Sequence, residues 1–426
     1  MYPRHVPPAA FLLTGFAWLV IASVLGLAIL VGLVRGTPLP SWMRLVHVHA
    51  AVVGGVAQMI LGGFLAFIPP LLMTGQQQRR SHPLLFAVIN GGAIGMLAGF
   101  GLRQHVIVGL SGFLVVAAFL WIAGHAWRQA RRSLNSPPLN VWYYAAALLS
   151  LFAGLAAGEA MALGFTQQAH GHLRLAHIHL NLIGFVTLAI IGTMHNLLPT
   201  VLNTPLASPR LGRPVLALML LGVGLLIGGF LSSSVWIELG AGLLLMIGTS
   251  VYTGNLFKTW AASSHKGSAA SDHLLLGTFF LLLTVILGIL VAANSASTPP
   301  LMPYGTLHLV AYTHMALVGF VVNTIMGALS HLLPVALAFN RVPSNKKRGL
   351  YLDRLTTIMD RWRTVQIGGL SLGTMGLALL ASLTWNVPLS SLPIQITLWV
   401  CFTLLLGGLV IFSVKVGYAV TARPLD

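Results

Sequence analysis

Long apolar runs separated by short polar links make up most of the chain. The runs fall at about 10–34, 43–72, 83–102, 105–127, 140–163, 175–200, 213–232, 234–257, 273–294, 306–338, 364–385 and 393–414. Each has roughly the 20 residues that an α-helix needs to cross a bilayer, and only helices satisfy their own backbone in lipid. The pattern therefore predicts an all-α, polytopic membrane protein with twelve transmembrane helices.

The composition supports the same class of protein. Of the 426 residues, 57% are hydrophobic and only 7% are charged, and the mean hydropathy is +0.89. A soluble chain of this length could not cover its surface with so few polar residues. The first apolar run is too long for a cleaved signal peptide, so it is predicted to be the first membrane helix.

The basic residues predict the orientation of the helices. The formal net charge of +17 would suggest a nucleic-acid partner, but the basic residues lie in the links between apolar runs. With twelve helices, 19 of the 23 Lys and Arg fall on one side, among them Arg4, Arg79, Arg80 and Lys415, while the other side has Arg35, Arg44, Arg103 and Arg174. Basic links face the cytoplasm. Both termini are therefore predicted to be cytoplasmic, in an inner (plasma) membrane of bacterial type.

The same distribution of charge predicts the partners. Nucleic acid is excluded, because the basic residues lie in short links between apolar runs, which is the pattern of cytoplasmic loops. The basic link at about 339–363 is predicted to touch the anionic head groups of membrane lipid.

Three helices share one sequence frame. Counted from a histidine, the frame has glycines at +5 and +13 and a proline at +20. Its members are His49, Gly54, Gly62 and Pro69; His179, Gly184, Gly192 and Pro199; and His314, Gly319, Gly327 and Pro334. The frame returns every four helices. This predicts a single integral membrane domain, 1–426, built from three pseudo-repeated four-helix units at about 10–135, 136–260 and 270–420.

The recurring histidines are predicted to be ligands, because a histidine inside a membrane span is costly unless it is paired, hydrated or ligating. Imidazole is the usual axial ligand of a b-type heme and also binds copper. His47 lies two residues before His49, and His177 two before His179, so about 200° of helical turn separates the members of each pair. With six acids and one cysteine in the chain, calcium, magnesium, iron–sulfur and disulfide sites are excluded.

Other polar groups near the outer face allow two interpretations each. His170, His172, His177 and His179 crowd the outer end of helix 6, where they either form a copper site with His105 or His308 or belong to a hydrated loop. Glu159, the only acid plainly within an apolar run, either delivers protons from outside or pairs with Arg174 or Arg103. His82, His125, His265 and His273 are predicted to be surface residues at inner helix ends.

The three-unit arrangement, the histidines on helices 2, 6 and 10, and the frame His-x4-Gly-x7-Gly-x6-Pro resemble the catalytic subunit of heme–copper oxidases. The C-family oxidases and the large subunit of nitric-oxide reductase are the most similar variants, and the NnrS family is more loosely similar. On helix 2, RLVHVHAAVVGG places His47 where the family has an axial ligand of its low-spin heme, and His314 matches the second axial ligand. The resemblance thus implies heme b held by His47 and His314, and copper at His179. His49 is a further candidate for binding the heme, and His177 is a further candidate metal ligand.

The sequence departs from that family at two places. Tyr312 stands where the family has the histidine that binds its high-spin heme, and helix 7, at 213–232, has no histidine. A conventional binuclear centre is therefore not expected. Tyr312 and Glu159 are the candidate catalytic residues.

The sequence supports three functional hypotheses. The first is a heme b membrane protein in electron transfer or in nitric-oxide or oxygen chemistry, with a redox partner or a second subunit. The second is a transporter or metal-handling protein that passes copper or a small solute through the histidine-lined outer vestibule. The third is a working oxidase or nitric-oxide reductase in which Tyr312 or His308 replaces the lost ligand. If the chain is an enzyme, it is expected to be an oxidoreductase of the heme–copper oxidase or nitric-oxide reductase type.

Overall fold

A computed structural model gives the fold of residues 7–37, 39–74, 82–133, 135–166, 169–300, 306–383 and 387–424, with the backbone alone for 306–309. Every regular element in these ranges is helical, which confirms the all-α prediction. Arg4, Arg79 and Arg80, and the side chain of His308, lie outside the described residues.

The described residues include twelve helices long and apolar enough to cross a membrane. In chain order, spans 1 to 12 are Pro8–Val34, Ser41–Leu71, Pro83–Gly101, His105–Arg132, Leu139–Ala162, His170–Val201, Pro209–Ser232, Val235–Ala262, Ala269–Ala296, Val310–Arg341, Arg363–Leu383 and Leu392–Thr421. Span 7 opens with the 3₁₀ turn Pro209–Leu211, and the helix of span 10 begins at Thr306. The prediction of twelve membrane-crossing helices is confirmed, and the protein is a multi-pass membrane protein.

Span 12 is longer than its apolar run predicts. It continues to Thr421 because the stretch VGYAV after Lys415 is apolar enough to extend the helix. Lys415 therefore lies inside the span with 3% of its surface exposed. Its assignment to an inner loop was wrong.

A helix, Asn345–Asp360, occupies most of the basic link between spans 10 and 11, where the sequence predicts a loop. This linking helix and the end of span 10 bind the end of span 12. Arg341 donates to the carbonyl oxygens of Val420 and Ala422, at 2.8 and 2.9 Å, and the Tyr351 hydroxyl donates to Ala422 at 2.7 Å. The link thus caps the last carbonyls of span 12, which have no partner within their own helix.

The contacts of the chain define two compact units. Unit 1 consists of Met1–Thr193 and Val223–Ser234, and unit 2 of Met194–Gly222 and Val235–Asp426. The grouping into three four-helix units stays a prediction.

In unit 2, glycines let the backbones of spans 11 and 12 approach each other. A methyl group at Gly369 would come within 2.8 Å of the Leu404 carbonyl oxygen, and one at Gly373 within 2.5 Å of the Cys401 carbonyl oxygen. Small residues four apart allow this close packing of membrane helices. The contact also fixes the neighbouring turn of span 11, which carries Gln366.

Gly369→Ala is expected to lower the free energy of unfolding by about 1–3 kcal/mol, because its methyl group would press on the backbone of span 12. Gly368→Ala is the matched control, because nothing lies within 4 Å of a methyl group at that position. Because alanine has a higher helix propensity than glycine, the control should be as stable as the wild-type protein or slightly more stable. Thermal unfolding of both variants in one detergent measures the difference, and equal midpoints would contradict this packing.

Candidate functional site

Each helix that carries the sequence frame changes from α to π geometry at the same place. The π segments are Ala50–Ala57 in span 2, Leu180–Thr187 in span 6 and Met315–Val322 in span 10. They follow the α-helical stretches Ser41–His49, His170–His179 and Thr306–His314, and precede Gln58–Leu71, Leu188–Val201 and Asn323–Arg341. In all three spans the π segment begins directly after the frame histidine. Such segments are rare and often mark functional sites.

The frame glycines pack against the preceding span of the same unit. A methyl group at the +5 position would come within 2.7 Å of a side chain in every case; the pairs are Gly54 with Trp18, Gly184 with Ser150, and Gly319 with Phe280. At +13 the corresponding contacts are 2.7–2.8 Å; the pairs are Gly62 with Phe11, Gly192 with Tyr143, and Gly327 with Leu274. The local structure therefore repeats along with the sequence frame.

The three frame histidines share one side-chain arrangement. Nδ1 of each donates to the carbonyl oxygen four residues earlier in its own helix, at 2.8 Å; the pairs are His49 with Leu45, His179 with Leu175, and His314 with Val310. A carbonyl oxygen can only accept, so the proton of the neutral ring lies on Nδ1. The lone pair that a metal ion takes up is then on Nε2.

The histidines two residues earlier face the preceding span instead. His47 Nδ1 donates to the Ala22 carbonyl of span 1, and His177 Nδ1 to the Gly154 carbonyl of span 5, both at 2.8 Å. Each ring lies against a glycine, Gly26 or Gly158, where a methyl group would come within 2.9 Å of Cε1. The members of each pair thus point in different directions, as their spacing predicts.

Tyr312 has the same position in span 10 and also faces the preceding span. Its ring lies against Gly288 of span 9, where a methyl group would come within 3.3 Å of Cε2. The orientation of Tyr312 therefore corresponds to that of His47 and His177, and differs from that of His314.

Unit 1 brings two of the predicted ligands together. His49 of span 2 and His177 of span 6 lie close enough for a charge on one ring to act on the other. The His179 ring packs on Phe230, with centroids 4.7 Å apart, and the His49 ring on Phe100 at 4.6 Å. His314 and Tyr312 belong to unit 2.

The four histidines near the start of span 6 contact different groups. His170 Nδ1 lies 3.4 Å from the Thr166 hydroxyl, and His172 Nε2 lies 3.5 Å from the Ser233 hydroxyl. No three His, Cys, Asp or Glu side chains converge within the described residues. In that part of the chain the structure does not gather these histidines around one metal ion.

Glu159 of span 5 is seated against two glycines of span 4. A methyl group at Gly109 would come within 3.2 Å of its Oε2, and one at Gly112 would overlap Oε1. Oε2 is buried without a hydrogen-bond partner among the described residues. Among the described residues Glu159 forms no ion pair with Arg174 or Arg103. The interpretation that Glu159 pairs with one of these arginines is therefore not supported.

Two titratable residues that were predicted to lie at the surface are buried in unit 2. His273 is completely buried, because span 9 begins at Ala269, about one turn before the predicted start. Lys415 is buried in the extended span 12, and both residues bind Gln366. The apolar stretch VGYAV after Lys415 was the signal in the sequence for its burial.

Comparisons with known proteins do not assign a family. No protein-family model matches the chain. A protein of Aquifex aeolicus (strain VF5), described only as uncharacterized, is 31% identical to it over 162 residues. The match covers 36% of this chain and spans 40% of that relative.

Gly112→Ala is expected to lower the thermal midpoint, because its methyl group would displace the Glu159 carboxyl group. Gly91→Ala in span 3 is the control, because nothing lies within 4 Å of a methyl group there. Adding Glu159→Ala to Gly112→Ala removes the overlap and should restore most of the lost stability. Thermal unfolding of the series in detergent measures this, and no recovery in the double variant would mean that Glu159 is not seated on span 4.

Proposed function

We propose that the protein is a heme b-binding membrane protein of the heme–copper oxidase type, acting in electron transfer or in nitric-oxide or oxygen chemistry. The observation that carries the proposal is shared by five histidines on spans 2, 6 and 10: Nδ1 of each donates to a backbone carbonyl oxygen at 2.8 Å. The residues are His47, His49, His177, His179 and His314.

This hydrogen bond suits a metal ligand. Histidines that bind metals almost always donate their other ring N–H to a carbonyl or carboxylate oxygen, which fixes the tautomer and the orientation of the ring. Nε2 is then the nitrogen that can bind iron or copper. The five histidines therefore have the chemistry that an axial heme ligand or a copper ligand requires.

His314 and His47 would hold the heme as its axial ligands. The His314 ring is exposed at its helix surface, and the His47 ring is half-buried between spans 1 and 2. His49 has the same local arrangement as His314, so it is the alternative ligand from span 2. Heme b bound in this way supplies one-electron transfer.

Copper would be held through His179, with His177 beside it on the same helix. The described residues gather no set of three ligands, and Tyr312 faces span 9. A binuclear oxygen-reducing centre is therefore not part of the proposal.

One observation favours the alternative, a transporter or metal-handling protein. The buried carboxyl oxygen of Glu159 has no hydrogen-bond partner among the described residues. Acidic residues inside membrane spans often lie on ion or proton pathways. Transport without bound heme is thus the second candidate function.

The charge distribution supports an inner-membrane location with both termini in the cytoplasm. Lys415 is buried in span 12, so it no longer counts as a basic residue of a link. The links on one side of the membrane still contain far more Lys and Arg than those on the other. The basic linking helix Asn345–Asp360 would then face the cytoplasm and touch anionic lipid.

Purified wild-type protein is expected to show the absorption spectrum of heme b. His47→Ala and His314→Ala should each lose bound heme or shift it from low spin to high spin, because an axial ligand is missing. His49→Ala distinguishes the two candidates from span 2: it keeps the wild-type spectrum if His47 is the ligand. Optical and electron paramagnetic resonance spectra of the variants measure the effect.

His265→Ala is the control for this series, because His265 is exposed in the link between spans 8 and 9. A protein without heme, or spectra that do not change in His47→Ala and His314→Ala, would contradict the proposed ligands. Metal-dependent flux into proteoliposomes by heme-free protein would instead support the transporter.

Cysteine labelling tests the orientation. In a Cys401→Ser background, Gln104→Cys lies in the link between spans 3 and 4, and Ser264→Cys in the link between spans 8 and 9; both positions are exposed. A membrane-impermeant maleimide should label Gln104→Cys in intact cells, and Ser264→Cys only after the membrane is opened. The reverse result would contradict cytoplasmic termini.

A further inference from the structure

A chain of buried polar side chains connects spans 9, 10, 11 and 12 in unit 2. Lys415 Nζ donates to Gln366 Oε1, and Gln366 Nε2 lies 2.7 Å from His273 Nε2. His273 Nδ1 lies 2.8 Å from Asn323 Oδ1, and Asn323 Nδ2 donates to the Gly319 carbonyl at 2.8 Å. The chain ends in the π segment that begins directly after His314.

In the observed arrangement, the orientation of the Asn323 and Gln366 amides gives the direction of every bond in this chain. Asn323 uses its NH₂ group on a carbonyl oxygen, so its Oδ1 must accept a proton from His273 Nδ1. His273 Nε2 is then bare and accepts from the Gln366 NH₂ group, which leaves Gln366 Oε1 for the Lys415 ammonium. In the observed arrangement His273 is therefore neutral and Lys415 carries the charge.

The site has room for one positive charge. His273, Gln366 and Asn323 are completely buried, and Lys415 is 3% exposed. A charge on Lys415 acts directly on His273, so two cations separated by one amide would repel each other strongly at this depth. The group that accepts the hydrogen bond of the Lys415 ammonium is a neutral amide oxygen of Gln366.

A second arrangement satisfies the same hydrogen bonds. If the Gln366 amide turns by 180°, its oxygen accepts from a protonated His273 Nε2 and its NH₂ group donates to a neutral Lys415 amine. The last torsion of glutamine is broad and roughly two-fold, so this turn requires no movement of the helix. Both arrangements hold the same number of protons and differ only in which residue carries the charge.

Acidic groups connect this site to the inner end of the spans. The Asp360 carboxylate acts on Lys415 and accepts the Ala269 N–H at 2.6 Å. Asp272, next to His273 in sequence, is ion-paired with Arg363, at 3.6 Å between Oδ2 and Nε. Asp272 lies in the first turn of span 9 and Asp360 at the end of the linking helix, so both carboxylates are close to the basic links, which the charge distribution predicts to face the inner aqueous phase.

We propose that His273 and Lys415 form a proton-binding site in which one exchangeable proton is held by either residue and Gln366 follows its position. The ligand is a proton from the inner aqueous phase. The proposal does not depend on heme binding, because every group in it lies in unit 2 and no ligand of the heme takes part. Ionisable side chains inside membrane spans, histidines among them, are features of proton relays.

Nitrogen-15 NMR of histidine-labelled full-length protein in lipid tests the site, with His273→Asn identifying the signal of His273. In the wild-type protein at pH 7 the ring is expected to be neutral, with its proton on Nδ1. In Lys415→Met the charge should pass to His273, so the neutral signal is lost and a cationic signal replaces it at the same pH. Lys258→Met, which removes an exposed lysine of unit 2, is the control and should change nothing.

Gln366→Leu tests the link between the two residues. It keeps both titratable groups but removes the amide, so adding Lys415→Met to it should no longer protonate His273. If Lys415→Met does not fold, Lys415→Gln, which retains a donor to Gln366, provides the same comparison. A His273 ring that stays neutral from pH 5 to 9 in the Lys415 variants would overturn the proposal and leave a purely structural hydrogen-bond chain.

Discussion

Lipid offers no hydrogen-bond partner, so a polar group inside the membrane is costly unless it finds one within the protein. This constraint explains the twelve helices, whose backbones are satisfied internally. It also explains the histidines on spans 2, 6 and 10, whose Nδ1 atoms all donate to backbone carbonyl oxygens. In unit 2 the same constraint orders Lys415, Gln366, His273 and Asn323 into one continuous chain of hydrogen bonds.

The sequence frame corresponds to a local structure that occurs three times. A histidine bonds to its own helix, a π segment begins at the next residue, and glycines within and after that segment lie against the preceding span. The wider π turn changes the direction of the side chains that follow it. The histidine and the packed glycines are thereby held in a fixed relation to each other, which is a requirement for any ligand that must bind metal with defined geometry.

The sequence predicted the helices well because length and hydrophobicity determine them locally. It also predicted that His47 and His49 point in different directions, since this follows from the helical repeat. The π segments could not be predicted, because the residues that form them, such as Ala50–Ala57, would fit an α-helix equally well. The linking helix Asn345–Asp360 was missed because it is polar and has no apolar run.

The buried titratable side chains contact residues that are distant from them in the sequence. His273 and Lys415 bind the same side chain, Gln366, although 142 positions of the chain separate them. The Glu159 carboxyl group packs against glycines of the preceding span. The apolar stretch after Lys415 signals its burial, but neither set of contacts has a signal in local spacing, so only the packing of the helices revealed the contacts.

Binding of heme b by the span histidines is tested most directly by the amount of heme b per chain in purified wild-type protein, measured as the pyridine hemochrome after expression with an ample heme supply. A stoichiometric amount of heme b is predicted. Protein that is folded and pure but contains no heme would contradict the claim.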